Sequence, residues 1–493
     1  MRRLALAVLA CALTACATAP AAVTSPAQAT AREDSAGPAL EAADVAPVPV
    51  SASVPAPEPA SLGVGGGVWI GAAAESSYVL AGTRDHLIGV WVEIPAGADR
   101  GRVPLSLTLT IDTSGSMAGE KIGHARDAAR VLVEHLADGD FVAIHAFADD
   151  ARELVAPTAI TPASRARILG AIAELSAGGS TNLYGALVLG ESRAQSAPAT
   201  HPVRRLVVIS DGRANVGPSS PAELGAVAEL GARRGVQVTA LGVGLDYDEH
   251  TLNALAIRSS GRLYHLSEPS EMASIAQREL DLLQATMAVG AYVEIVPAPG
   301  VVALDAGGVR VEAGRDGALL VPLGTMFAGQ RRELLVRVRV LGAEPGLRPM
   351  ASVYLRYRDP ADGSVARVQE RIVRAEVTSD PAEVEAHAQA ETQSIVAMYE
   401  AARVAAQARV QVDAGQFDDA DRVLASAEAR LRRSAERAQS DHEKQRILAT
   451  AQGVARSRSS VRHAAAAPAP MKKEAARAGS LQLNDVAMEA MGY

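Results

Sequence analysis

Asp112, Ser114 and Ser116 occupy alternate positions of one loop, a carboxylate and two hydroxyls that can turn toward a single point. Oxygen-only donors of this kind suit a hard cation such as Mg2+ or Mn2+, and the loop carries no cysteine or histidine that would favour zinc. Residues 105–111, just before it, alternate apolar side chains and read as a strand. The loop therefore sits at a strand end, where ligands can be delivered to a sheet edge.

The pattern resembles the D-x-S-x-S signature of von Willebrand factor type A (VWA) domains, whose metal ion-dependent adhesion site (MIDAS) takes two more residues from downstream loops. Residues 178–184, with Gly178, Gly179, Ser180 and Thr181, resemble that family's threonine loop, and Thr181 matches its metal-site threonine. The apolar run 206–209 followed by Ser210, Asp211 and Gly212 resembles the loop that brings the second aspartate. The resemblance implies direct coordination by Ser114 and Ser116, and binding by Asp112, Thr181 and Asp211 either directly or through water. It implies Mg2+, with Mn2+ or Ca2+ as alternatives, and a protein partner that presents an Asp or Glu carboxylate to an open coordination position. Gly115, without a side chain, is expected to let the loop curl around the ion.

Other chemistries fail at single positions. An aspartic protease needs Asp-Thr-Gly, but Ser114 separates Thr113 from Gly115. A serine nucleophile elbow needs glycine where Ser114 stands, and a haloacid-dehalogenase-type phosphotransferase needs a second aspartate there. The remaining alternative is the same fold with a vestigial metal site. The histidines, among them His124, His135 and His145, form no metal-spaced cluster and read as surface or structural residues. The glycine run 63–67 reads as a turn, since no lysine or serine follows in phosphate-loop register.

The surrounding periodicity predicts a doubly wound, Rossmann-like α/β domain. Residues 117–137 place Ile122, Ala125, Ala129, Leu132, Val133 and Leu136 at helical spacing. Residues 141–147 and 236–243 read as strands, the latter apolar on both faces as a covered parallel strand must be. Thr161 with Pro162, and Ser220 with Pro221 and Glu223, are helix starts. In such sheets ligands bind beyond the carboxyl ends of the strands, where strand order reverses.

The flanks have a different character. Residues 68–95 and 288–377 alternate like strands between glycine and proline turns, which predicts one β-sandwich, discontinuous in sequence, with the α/β domain inserted in it; two unrelated β pieces are the alternative. From Asp380 the pattern turns helical, with Pro381 and Glu383 as a start signal, Gly415 as punctuation, a second helix from Asp418 and a third opened by Ser440 with Glu443. An antiparallel helical hairpin is the reading preferred over a lone tetratricopeptide-like repeat. The expected boundaries are 1–15 signal peptide, 16–62 tether, 63–100 first β segment, 101–287 VWA domain, 288–378 second β segment, 380–463 helical region and 464–493 flexible tail, in which residues 481–491 could dock as a short helix.

Arg2 and Arg3 precede a ten-residue apolar stretch, 4–13, too short to span a bilayer, and residues 13–16 resemble a bacterial lipobox ending in Cys16. The resemblance implies acylation of Cys16 and, from Ala17 behind it, outer-membrane sorting in a Gram-negative envelope; an ordinary signal peptide with a chance cysteine is the alternative. The other cysteine, Cys11, falls within the expected signal, so the mature body would have no disulfide. The alanine- and proline-rich stretch that follows has little large apolar surface to bury and reads as a tether. The net charge of −8, with no basic stripe carrying aromatics, argues against nucleic acid. The expected function is metal-dependent protein binding at the envelope and not catalysis. A structural subunit of an envelope complex and a metal-dependent hydrolase remain as competitors.

Overall fold

The computed structural model describes residues 67, 69–96, 102–211, 214–243, 247–266, 269–307, 309–438 and 441–490. The expected signal peptide, Cys16, the whole of the tether and all of the glycine run 63–67 except Gly67 lie outside these residues. The first strands are β1 (Ile70–Ala74), β2 (Tyr78–Leu80) and β3 (Gly82–Glu93). The α/β domain follows as β4 (Leu105–Asp112), α1 (Glu120–His135), β5 (Phe141–Phe147), β6 (Ala151–Ala159), α2 (Pro162–Ala173), α3 (Leu183–Gln195), β7 (Val203–Ser210), α4 (Pro221–Arg233), β8 (Val236–Val243), α5 (Glu249–Ser259), β9 (Arg262–Leu266) and α6 (Met272–Gln284). The chain then returns to strands, β10 (Thr286–Pro297), β11 (Val301–Ala306), β12 (Glu312–Ala313), β13 (Leu319–Phe327), β14 (Arg331–Ala343), β15 (Gly346–Asp359) and β16 (Val365–Thr378). It closes with helices α7 (Pro381–Ala386), α8 (Ala390–Asp413), α9 (Phe417–Arg437), α10 (Asp441–Ala466) and α11 (Ala469–Ala490).

The α/β sheet has the order β6-β5-β4-β7-β8-β9, parallel except for β6. After β4 the chain builds outward through β5 and β6, then crosses to the other side of β4 to start β7. The carboxyl ends of β4 and β7 thus flank the point where strand order reverses. The central strands are apolar on both faces because helices cover both. Leu107, Leu109, Val207 and Ile209 pack with Ile122 and Leu132 of α1, Ile168 of α2 and Leu280 of α6, while Leu206 and Val208 pack with Leu187 of α3, Leu224 of α4 and Leu252 of α5. Both expected proline starts are true caps: Thr161 accepts from the Ser164 backbone and Ser220 from that of Glu223, each reciprocated by the side chain at the third helical position. Strand β6 had no clear signal; its Pro157 is tolerated because β6 is an edge.

The flanking segments form two sheets, β1-β3-β14-β11 and β12-β13-β10-β15-β16-β2, each drawing strands from both sides of the inserted domain. Strand β3 pairs antiparallel with β14, setting Ile88 against Val336 and Val90 against Leu334, and β2 runs parallel to the end of β16. Their inner faces share one core containing Ile88, Val90, Val338, Val293, Val353 and Leu355. This is the discontinuous β-sandwich, with Trp69 stacked on Tyr357 at 4.7 Å between ring centres.

The C-terminal region differs from the expected hairpin and loose tail. Helices α8, α9, α10 and α11 pack around one core, to which Leu483 and Val486 of α11 contribute as buried side chains. The stretch expected to be flexible is therefore mostly helical, because its apolar residues find partners on α8 and α10. Helix α11 also reaches the α/β domain: Leu481 joins the core with Leu252 and Leu255, and Asn253 donates to the Asn484 side chain at 2.7 Å.

Candidate metal centre

Strand β4 ends on Asp112, whose side chain is fully buried, and the chain then turns through a short 3-10 segment, Gly115–Met117, into α1. The Ser114 N–H donates to Asp112 Oδ1 at 2.8 Å, which folds the loop back on its own carboxylate. The Ser114 and Ser116 hydroxyls share a hydrogen bond at 3.0 Å, and Ser116 Oγ donates to Asp211 Oδ1 at 2.7 Å. Asp112, Ser114, Ser116 and Asp211 therefore form one continuous polar chain between loops 95 residues apart in sequence.

The threonine loop is tied to the first loop by its backbone. The Gly178 N–H donates to the Thr113 carbonyl at 2.7 Å, and the Gly115 N–H donates to the Gly179 carbonyl at 2.9 Å. Thr181 is buried, and its main chain is held from the third loop: its N–H donates to Asn215 Oδ1 at 2.8 Å, and its carbonyl accepts from the Asn215 N–H at 3.0 Å. Thr181 stands just before the cap of α3, which is Asn182, whose side chain accepts from the Gly185 N–H. All five residues expected as ligands thus lie on three interlocked loops at the switch point.

Gly115 does not play the expected part. A Cβ placed there would meet the Gly179 carbonyl at 3.5 Å, an ordinary contact. The glycine that the geometry requires is Gly179, at φ +88°, where a Cβ would come within 2.7 Å of Asp149 Oδ2. That aspartate's other oxygen accepts from the Ser180 N–H at 2.9 Å and steadies the threonine loop.

Besides Asp149, three residues that support the site were not assigned to it from the sequence. Ser210, the last residue of β7, donates its hydroxyl to Asp112 Oδ2 at 2.6 Å. Lys121, in the first turn of α1, ion-pairs with Asp211 Oδ2. Asn215 clamps Thr181 as described. Ser210 could have been suspected from its place beside Asp211 at a strand end; Lys121 and Asn215 carry no signal of their own, since nothing local joins them to their partners.

Burial pushes the Asp112 carboxyl above its ordinary range, and the like charge of Asp211 adds to this, against the pull of hydrogen bonds from Ser114 and Ser210. Two buried carboxylates with one ammonium, held on Asp211 alone, leave an excess of negative charge on an all-oxygen donor set, which fits a hard divalent cation. Among the described residues no three His, Cys, Asp or Glu side chains gather as metal ligands; the site relies on hydroxyls beside its two carboxylates. His145, on β5, is fully buried and its pKa is pushed down to about 4 by burial, so its ring is neutral at neutral pH. Glu153 stands 3.8 Å from it.

Residues 106–278 match the family model of the von Willebrand factor type A domain, and the chain contains that domain. An uncharacterised protein of Synechocystis is 28% identical over 275 residues, covering 53% of this chain and 63% of that protein. The uncharacterised Escherichia coli protein YfbK is 30% identical over 197 residues, covering 39% of this chain and 34% of its own length. This chain thus spans less than two thirds of either relative. Among solved structures, a von Willebrand factor type A protein from Catenulispora acidiphila superposes with a TM-score of 0.67 at 19% identity over 85% of this chain and 96% of its own. That likeness is one of fold, and it extends beyond the α/β domain into the flanking parts. VWA domains commonly serve protein–protein interaction or adhesion.

Proposed function

We propose that this protein is an envelope-anchored binding module that takes hold of a protein partner through a divalent-metal site. The observation that carries the reading is the hydrogen-bonded chain from Asp112 through Ser114 and Ser116 to Asp211, assembled at the switch point with the threonine loop locked against it. Asp112, Ser114, Ser116, Thr181 and Asp211 would hold Mg2+, with Mn2+ or Ca2+ as alternatives of the same oxygen preference. When bound, the ion supplies an electrophilic centre that can accept an Asp or Glu carboxylate from the partner. The aspartates balance charge, the hydroxyls donate oxygen without adding charge, and the Thr113–Gly178 and Gly115–Gly179 contacts keep the loops in register. The function is recognition, not turnover.

The anchor is proposed from the first sixteen residues, with Cys16 acylated and the body held at the outer membrane of a Gram-negative envelope. Among the described residues no helix is long and apolar enough to cross a membrane. The deciding experiment is a pull-down from envelope extract with the parent and Asp112→Ala, each in Mg2+ and in chelator. A partner retained only by the parent in Mg2+ supports the reading. Equal recovery in all four conditions would mean that the partner docks away from the site, and that the protein serves as a structural subunit.

A further inference from the structure

The ion pair between Lys121 and Asp211 gives the site a cation of its own. Asp211 uses its two oxygens for different partners: Oδ1 accepts from Ser116 at 2.7 Å, and Oδ2 faces the Lys121 ammonium. Asp211 is fully buried at its side chain, whereas Lys121 is 33% exposed. The carboxylate is thus fixed, while the ammonium rides on a flexible four-carbon stem with a route to solvent. With two aspartates and one lysine, the site carries a formal charge of −1 when empty and +1 with a divalent ion.

We propose that Lys121 is the resident counter-cation of this site. It neutralises Asp211 when no ion is bound, competes with a divalent ion for that carboxylate, and leaves the loaded centre with a net positive charge that selects an anionic donor. Two buried carboxylates without a cation would repel each other and lose their hydration together. Lys121 relieves that in the empty protein, at the cost of weaker ion binding. Lys121 lies in the first turn of α1, directly after the Asp112 loop, and so comes from the same segment as three of the proposed ligands, which couples its position to theirs.

The inference rests on the metal-site reading, and its test separates the two. The probe is Mn2+, followed by the electron paramagnetic resonance signal of the free ion, with the full chain of the parent, Lys121→Met, Lys121→Gln and Lys121→Arg. Unfolding temperatures are measured in chelator alongside. Removing one positive charge beside the ion should tighten Mn2+ binding about tenfold in Lys121→Met and Lys121→Gln. Both should also melt earlier than the parent in chelator, and Lys121→Arg should stay close to the parent in both respects. Parent binding of Mn2+ with unchanged or weaker binding in both neutral variants would overturn the lysine's role alone. So would unchanged melting in chelator. Failure of the parent and of both neutral variants to bind Mn2+ would overturn the metal reading along with it.

Discussion

The Ser210 hydroxyl donates to Asp112 Oδ2 at 2.6 Å, from the last residue of β7 to the last residue of β4. Neighbouring parallel strands thereby fix one oxygen of a carboxylate whose other oxygen is fixed by its own loop. Supporting hydrogen bonds of this kind orient a ligand and set its basicity, and their loss typically costs about 10- to 100-fold in metal affinity. Ser210→Ala should therefore weaken Mg2+ binding by at least about tenfold while leaving the fold intact. Calorimetric titration with Mg2+ checks it, and parent-like affinity would show that Asp112 is held well enough by Ser114.

An ion that binds only the folded state stabilises it by mass action, by about 2.7 kcal/mol at 100 times its dissociation constant. Thermal unfolding should shift upward with Mg2+ in the parent and stay fixed in Asp112→Ala. No shift in the parent at millimolar Mg2+ would favour a vestigial site.

Glu191 on α3 is 5% exposed, and burial pushes its pKa up to about 8, with Arg234 pulling back weakly. The folded protein keeps this carboxyl protonated where the unfolded chain, near 4.5, has ionised it. The stability it allows is fully present below about pH 4.5 and is lost as the pH rises through 8, by at most about 1.4 kcal/mol per unit. Glu191→Gln should melt later than the parent at pH 8 and lose that advantage near pH 5. A constant difference across the range would sink the assignment.

Docking of the C-terminal helices on the VWA domain centres on Glu249, a buried carboxylate at the start of α5 that accepts from Arg409 of α8 at 3.0 Å and from Arg477 of α11 at 3.3 Å. Leu481 fills the apolar part of the same contact. Leu481→Ala should cost about 2–5 kcal/mol as a cavity in a shared core. Hydrogen exchange should then speed up in both α11 and α5; acceleration confined to α11 would mean the contact does not stabilise the VWA domain.

Acylation requires the Cys16 thiol. Cys16→Ser should abolish labelling by a fatty-acid probe and move the protein out of the membrane fraction, and persistent labelling would remove the proposed anchor.

What the sequence by itself determined was local. Asp112, Ser114 and Ser116 were legible because donors at alternate positions of one loop need only that loop's geometry to converge, and Thr161 and Ser220 because a cap closes on a backbone N–H three residues away. Alternation in β3 and β14 revealed strands with one apolar face each, and the helical period of α1 revealed the side turned to the sheet. Tertiary structure decided what depends on distant partners. The pairing of Ile88 with Val336 spans the whole inserted domain, and no local pattern sets its register. Lys121 and Asn215 became site residues only when β4 and β7 met at the switch point and brought Asp211 and Thr181 beside them. Helix α11 read as loose because its alanines and scattered Leu481, Leu483 and Val486 hold too little apolar surface to order a segment alone; packed on α8, α10 and α5, the same side chains are buried. Local hydrogen bonds and periodicity act between near neighbours and are written along the chain, whereas charge balance and core burial depend on which surfaces meet.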